Sequence, residues 1–421
     1  MIHGIIKAVW GDVMRVVVVG GGASGMVAAI YAAREQCQVT LIEKNKQLGK
    51  KLRITGNGKC NYWNADQRLM HYHSTNPEVL EEILTKQNQE MVLSFLSQLG
   101  IVPRIKNGYY YPYSNQATAL QTAFLKELEL QNVNIIHEEV KSITHQSEFH
   151  IQTDQRQLSA DRLIIATGSY ACPKTGSDGI GYQFARDFHH TIIKPLPALV
   201  QLRGMTSITK EWAGIRTDVS LKLLENGVCV GEEAGELQLT NYGVSGICVF
   251  QLSGQVARGL DAGYTEQFQI NFLPQLPFVS TDEWIIWMDE RAKMLVKRTV
   301  SELLDSLLPY QLLNLLLKQA HIKRDRMWQS LSKKERVSLA QFLFAFPFTI
   351  TGTNSFDQAQ TCSGGIPLTE INPRTMESKK QPGLYFTGEL LDVNGDCGGY
   401  NLSFAFLTGY LAGSAPRRKY D

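Results

Sequence analysis

A chain of 421 residues carries 42 Lys and Arg against 40 Asp and Glu, a net charge of +2, and is 43% hydrophobic. This is the composition of an ordinary soluble protein of two or three domains, and it gives no electrostatic reason to expect nucleic acid or an anionic membrane as a main partner. Seven widely spaced cysteines without a CxxC argue against a disulfide framework, a zinc site and a dithiol redox centre together. No stretch reaches the roughly twenty apolar residues of a membrane helix, and residues 1–13 lack the apolar core and cleavage pattern of a signal peptide. A cytoplasmic protein is expected. Met14 directly precedes the first strand, so the leader reads as an upstream start or an added segment.

The most informative stretch comes first. Arg15–Val19 is a β-branched run with the composition of a strand buried on both faces. Gly20-Gly-Gly-Ala-Ser-Gly25 follows, then helical composition to Arg34, a second buried run Val39–Ile42, and Glu43. This is a βαβ unit whose first turn holds a dinucleotide: Gly20 permits the tight turn, Gly22 lets backbone approach a pyrophosphate, and Gly25 lets helix pack on strand. The N-terminus of that helix offers unpaired N–H groups to phosphate. Glu43 accepts from ribose hydroxyls and repels a 2′-phosphate, which selects FAD or NAD over NADP without choosing between them.

Lys44 to Asn64 is rich in Gly and Asn, with Thr55-Gly56-Asn57-Gly58-Lys59-Cys60-Asn61 at its centre. Such a run favours unusual backbone angles with outward N–H groups, and its place after the nucleotide unit reads as a loop embracing a cofactor. Lys50 and Lys51 can reach a cofactor phosphate, whereas Arg417-Arg418-Lys419 reads as solvated. Helices are expected over 77–99 and 117–130. The aromatic run Tyr109–Tyr113 is a pocket wall or ordinary packing. Segments 133–137, 140–144 and 149–153 read as strands of a small attached sheet, with Val140 placed against an adenine. Arg162–Ile165 is another buried strand, ending in Ala166-Thr167-Gly168, a small-residue turn that returns the backbone toward the cofactor.

Composition changes near Pro195-Leu-Pro197. From there to Pro277 short strands with turns suggest a β-barrel or β-layer, and 282–343 becomes helical, with a Leu-rich packing stripe at 303–317. Strand character returns at Phe346–Thr351 and Leu384–Phe386. The latter run ends in Gly388-Glu389, and a final helix follows from about Asn401. Only one complete GxGxxG is present, since Gly176 to Gly181 lies in the wrong context for a second. A built-in second Rossmann domain for NAD(P)H and a disulfide-reductase activity are therefore not expected.

Gly20–Gly25 with Glu43, Ile54–Asn61, Ala166–Gly168 with Tyr170–Gly181, Leu239–Gly246, and Cys362–Gly365 through Gly388-Glu389 to Gly398–Asn401 together resemble the bacterial flavoprotein family that includes aminoacetone oxidase and a dehydro-bile-acid reductase. The resemblance spans nearly the whole chain after Met14. It implies an α/β fold: a glutathione-reductase-like, FAD-binding Rossmann domain made of residues 14–194 and 361–421, an inserted β-barrel substrate domain (195–278 and 341–360), and a helical domain (279–340). It implies non-covalent FAD held by Gly20, Gly22, Ala23, Ser24 and Gly25 at the pyrophosphate and by Glu43 and Lys44 at the ribose. Thr55, Gly56, Gly58, Cys60 and Asn61 approach the flavin end, with Lys51 also at the cofactor. Gly388, Glu389, Asp396, Gly399, Tyr400 and Asn401 close over the ribityl chain and the pyrimidine edge.

The chain departs from the family near Asn241, where histidine is common, and ahead of Pro112, where Tyr109–Tyr111 replaces an arginine. No catalytic acid or base is therefore transferred. The expected activity is that of an FAD-dependent oxidoreductase on a small molecule, an amine or amino-ketone oxidase or an NAD(P)H-dependent reductase, with Asn241 and Tyr242 at the substrate and NADH or NADPH as a transient reductant. The alternatives are an FAD-dependent RNA-modifying enzyme, which the charge balance does not favour, and a flavin-binding module without turnover. No metal site, no nucleic-acid partner and no membrane are expected.

Overall fold

A computed structural model describes residues 13–278 and 280–415. The leader through residue 12 and the Arg417-Arg418-Lys419 cluster lie outside the described residues. The chain divides into two compact units, residues 1–196 with 360–421, and residues 197–359.

The first unit is built on a five-stranded, all-parallel sheet. Its strands are β1 (Arg15–Val19), β2 (Gln38–Ile42), β3 (Asn134–Ile136), β4 (Arg162–Ile165) and β5 (Leu384–Phe386), in the order β5-β4-β1-β2-β3. Val16 to Val19 and Leu163 to Ile165 are buried on both faces, which is why they read as unbroken apolar runs instead of alternating ones. Helix α1 (Ala23–Arg34) follows β1, and α2 (Tyr400–Ser414) packs against it. A Cβ on Gly409 or Gly413 would come within 2.5 Å of the carbonyl oxygen of Ser24 or Ala28. Glycine at those two positions sets the close approach of the helices, so the C-terminal segment completes the N-terminal layer.

One expectation is corrected here. The segment at 134–136 is the edge strand of the main sheet, and the small antiparallel sheet is instead 140–145, 149–153 and 157–160. The aromatic run at Tyr109–Pro112 forms the middle strand of a three-stranded sheet between 103–106 and 63–64. Residues 117–130 are helical as expected, whereas 77–99 is two helices, Pro77–Ile83 and Lys86–Gln98, the second capped by Thr85.

In the second unit six strands close a barrel in the order 202–204, 243–245, 228–239, 216–225, 266–271 and 346–353. Alternate residues Val219, Leu221 and Leu223 point inward. The helices between Thr281 and Phe344 bury Trp284, Leu313, Trp328 and Leu339 in one core cluster with Leu221, Phe268 and Phe348 of the barrel. Helix Ile247–Asp261 falls within a stretch read as strands. Ile247-Cys-Val-Phe250 has strand composition, but the buried Cys248, Val249, Leu252 and Val256 recur at the helical spacing of three and four. Among the described residues no helix is long and apolar enough to cross a membrane.

Candidate cofactor site

The glycine turn is built by steric necessity. Gly20 has φ +107°, its N–H donates to Ile42 O at 2.8 Å, and a Cβ there would sit 2.4 Å from Ala166 O. A Cβ on Gly25 would lie 1.9 Å from Gly20 O. Gly22 differs: its nearest such neighbour is Ala166 O at 4.0 Å, so this position faces open space. Gly22 is the N-cap of α1, and no side chain caps the helix there. The first-turn N–H groups thus keep their donor capacity and the positive end of the dipole.

Beside the turn lies a small pocket that is partly open to solvent. It brings together five of the expected residues, Gly20, Glu43, Lys44, Val140 and Thr167. It is also lined by Glu138, Glu139, Gly176, Ile180 and Phe184, which sequence reasoning missed. The setting of Gly176 and Ile180 after the Ala166–Gly168 turn was the only available signal. Glu43 is oriented by three donors: the N–H of Gly21 (2.8 Å), the N–H of Asn45 (2.8 Å) and the Asn45 amide (2.6 Å). The Lys44 ammonium meets Asp178 at 2.6 Å. Glu138 is buried and held by Arg156 at 2.6 Å and by the Thr153 hydroxyl at 2.6 Å. The Thr167 Oγ1 is buried with no hydrogen-bond partner among the described residues.

The remaining expected residues form further groups. Ser24 contacts the end of β5, where Thr387 Oγ1 bonds its hydroxyl at 3.1 Å. Just beyond, the Glu389 carboxylate receives Lys51 Nζ at 2.6 and 2.9 Å and the Ser169 hydroxyl at 2.9 Å. The Gly/Asn loop has the expected left-handed angles: Gly56 +55°, Asn57 +54°, Gly58 +80° and Cys60 +57°. Burial pushes the Cys60 thiol up to about 12, against a smaller opposing effect from Thr55. It is therefore a thiol and no nucleophile near neutrality. The Asn61 amide faces the carbonyl oxygens of Trp63 and Tyr110 at 3.0 and 3.1 Å.

Gly399 (φ +95°) abuts the Trp63 backbone, and Asn401 closes the turn by exchanging two 2.8 Å bonds with the Gly395 backbone. Asp396 is gripped by two histidines, His71 Nδ1 at 3.0 Å and His73 Nε2 at 2.8 Å. The other His71 nitrogen faces Asp66 at 3.2 Å, and its ring stacks on Tyr400 with centroids 4.8 Å apart. The two histidines were not expected at the site, because nothing near them in sequence marks Asp396 as their partner. Asn241 and Tyr242 lie in the second unit, in a barrel turn closed by Thr240 N to Gly243 O at 2.9 Å.

The family described as HI0933-like protein Rossmann domain matches residues 14–415. A 3-dehydro-bile acid delta(4,6)-reductase of Clostridium scindens is 38% identical over 406 residues, 95% of this chain and 98% of that protein. A ribosomal RNA dihydrouridine synthase of Haemophilus influenzae is 28% identical, covering 94% of this chain and 96% of the other. The expected exclusion of nucleic acid therefore finds no support among the relatives. Among solved structures, the open conformation of a flavocytochrome c3 fumarate reductase aligns with a TM-score of 0.47 at 14% identity, covering 98% of this chain and 79% of the other. The match along almost the whole described chain, together with the reductase relative, means that this protein belongs to the HI0933-like Rossmann family, a family of flavoprotein oxidoreductases.

Proposed function

We propose that the chain is a cytoplasmic, FAD-dependent reductase that saturates a carbon–carbon double bond conjugated with a carbonyl in a small molecule. The observation that carries the cofactor reading is the pocket beside Gly20. An uncapped helix start, an open Gly22, an orphaned buried Thr167 hydroxyl and an oriented Glu43 acceptor together fit a dinucleotide. In this reading the N–H groups of Gly22, Ala23, Ser24 and Gly25 hold the diphosphate, Glu43 and Lys44 the ribose, and Val140 the adenine. Lys51, Thr55, Gly56, Gly58, Cys60 and Asn61 face the flavin end, and Ala166, Thr167 and Gly168 line the return. Gly388, Glu389, Asp396, Gly399, Tyr400 and Asn401 close from the C-terminal segment, in a glutathione-reductase-like layout. The start of α2, capped by no side chain, offers N–H groups to negative charge on the flavin pyrimidine. When bound, FAD supplies the hydride chemistry. Asn241 and Tyr242 orient the substrate.

The choice of a reductase over an amine oxidase rests on the relatives. One is named for reducing the 4,6-diene of a 3-oxo compound and the other for making dihydrouridine, and both names describe saturation beside a carbonyl. With one dinucleotide turn in the chain, NADH or NADPH acts as a transient visitor. A second reading puts the same reduction on a uracil within RNA; it is favoured by the basic segment described below.

The test is anaerobic. The purified protein should be yellow, bleach with NADH or NADPH, and recover its colour on mixing with a 4,6-dien-3-one steroid. A colourless preparation that takes up no FAD overturns the cofactor, and bleaching by small amines with recovery only in O2 makes the enzyme an oxidase. Tyr242→Phe should change turnover and leave the bound-flavin spectrum intact; wild-type kinetics in that variant remove Tyr242 from the pocket.

A further inference from the structure

The net charge of +2 conceals an uneven distribution. Residues 291–336 hold eleven Lys and Arg against four Asp and Glu, so this segment carries +7 and the rest of the chain −5. The fold gathers its parts. Backbone bonds from Val300 N to Arg326 O (2.8 Å) and from Ser301 N to Arg324 O (3.4 Å), with a β-bridge between Thr299 and Met327, lay 298–301 against 323–327. Arg326 pairs with Glu335 in the first turn of helix Lys333–Phe344, which adds a third segment. Lys297, Lys323, Lys333 and Lys334 on these adjoining segments are exposed, and none forms an ion pair among the described residues.

Of the four acids, Glu302 and Glu335 are occupied in the capping boxes of their own helices and Asp305 accepts from Ser301, which leaves the exposed Asp325 as the one acid set among the four lysines. Within the same region the Arg324 guanidinium sits over Tyr310, 4.2 Å from the ring centroid, and is anchored by Ser301 Oγ at 2.9 and 3.2 Å. The Tyr310 side is 60% exposed.

The geometry points to an RNA-docking face on these three segments, with the lysines on backbone phosphates and the Arg324–Tyr310 pair as a stacking platform for an unpaired base. Four unpaired lysines fit a polyanion, and a planar cation on an exposed ring fits the splayed bases of an RNA loop. A membrane surface would instead call for one amphipathic helix with a long apolar stripe. Here, apart from Tyr310, the exposed large apolar residues are Ile286, Met294, Leu295 and Val296, on and just after one helix, and they do not form a long stripe. The inference does not rest on the flavin reading, because association is measured without turnover.

The experiment is fluorescence anisotropy of a labelled RNA hairpin with an unpaired loop, titrated with the full-length, flavin-loaded protein. Binding should be seen at about 50 mM salt and fall at least tenfold by about 200 mM, as counterion release requires. Replacing Lys297, Lys323, Lys333 and Lys334 together by Glu should weaken binding at least tenfold and flatten the salt slope by about 3, with the melting temperature and visible spectrum unchanged. Tyr310→Ala should weaken the loop hairpin and not a fully paired duplex. No binding by the wild type at about 50 mM salt overturns the proposal, as does wild-type affinity in the quadruple variant. So does capture by phosphatidylserine vesicles without capture of RNA.

Discussion

Glu43 and Glu266 are both carboxylates at strand ends, and the two units treat them oppositely. Glu43, one residue past β2, accepts from the Gly21 and Asn45 N–H groups and from the Asn45 amide. Glu266 opens a barrel strand, is 1% exposed, and has no hydrogen-bond partner on either oxygen among the described residues; in register it stands opposite Glu225. Burial first, then repulsion from Glu225, pushes Glu266 up to about 7. The lesson concerns donor supply. A glycine turn leaves backbone N–H groups free to orient an acceptor, whereas barrel strands direct theirs into the ladder and leave a buried acid to keep its proton. One arrangement prepares a ligand contact and the other makes stability depend on pH.

The hardest blow to the first arrangement is Gly25→Val. With a Cβ expected 1.9 Å from Gly20 O, the turn that presents Gly21 cannot form. The variant should lose bound flavin by more than about a hundredfold, which is about 2.7 kcal/mol, read from the ratio of visible to ultraviolet absorbance. A yellow, wild-type preparation would show that the turn is not the cofactor's seat. Glu43→Ala removes one acceptor and strands three donors. It should weaken FAD by about ten- to a hundredfold, some 1–3 kcal/mol, in a calorimetric titration of the apoprotein.

Glu266→Gln probes the other side of the comparison. Because the folded-state value is raised from 4.5 to about 7, the native state binds a proton more tightly than the unfolded chain does. Its stability therefore falls as pH rises from about 4.5 to 7 and stays low above that. Glutamine should raise stability by about 1–3 kcal/mol at pH 8 and change it little at pH 5, as read by urea melts. Equal effects at both values would mean that the acid is already satisfied. The smallest effect is expected at Asp396, whose carboxylate meets the side chains of His71 and His73. His71→Asn should cost about 1 kcal/mol and show as a few-fold loss of FAD affinity, with the barrel's melting unchanged.

Part of the site was legible because its causes are local. Gly20, Gly22 and Gly25, the β-branched run before them and Glu43 lie within thirty residues, and each follows from a turn angle, a steric distance or a strand end. The left-handed angles of Gly56, Asn57 and Gly58 follow likewise from glycine and asparagine themselves. Helix 247–261 was missed because its first residues favour strand by composition, and burial against the barrel overrides that preference.

The amino-acid sequence alone thus determined the dinucleotide turn, its buried flanking strands and the family, since these depend on backbone geometry over a short span. Only the tertiary structure decided that Lys51 meets Glu389 across 338 residues, that His71 meets Asp396 across 325, and that a nearly neutral chain has a basic face at 297–334. Local composition carries the propensity of a segment but not the identity of its partner. That identity is set when distant segments share one core and the polar groups at its rim must find each other.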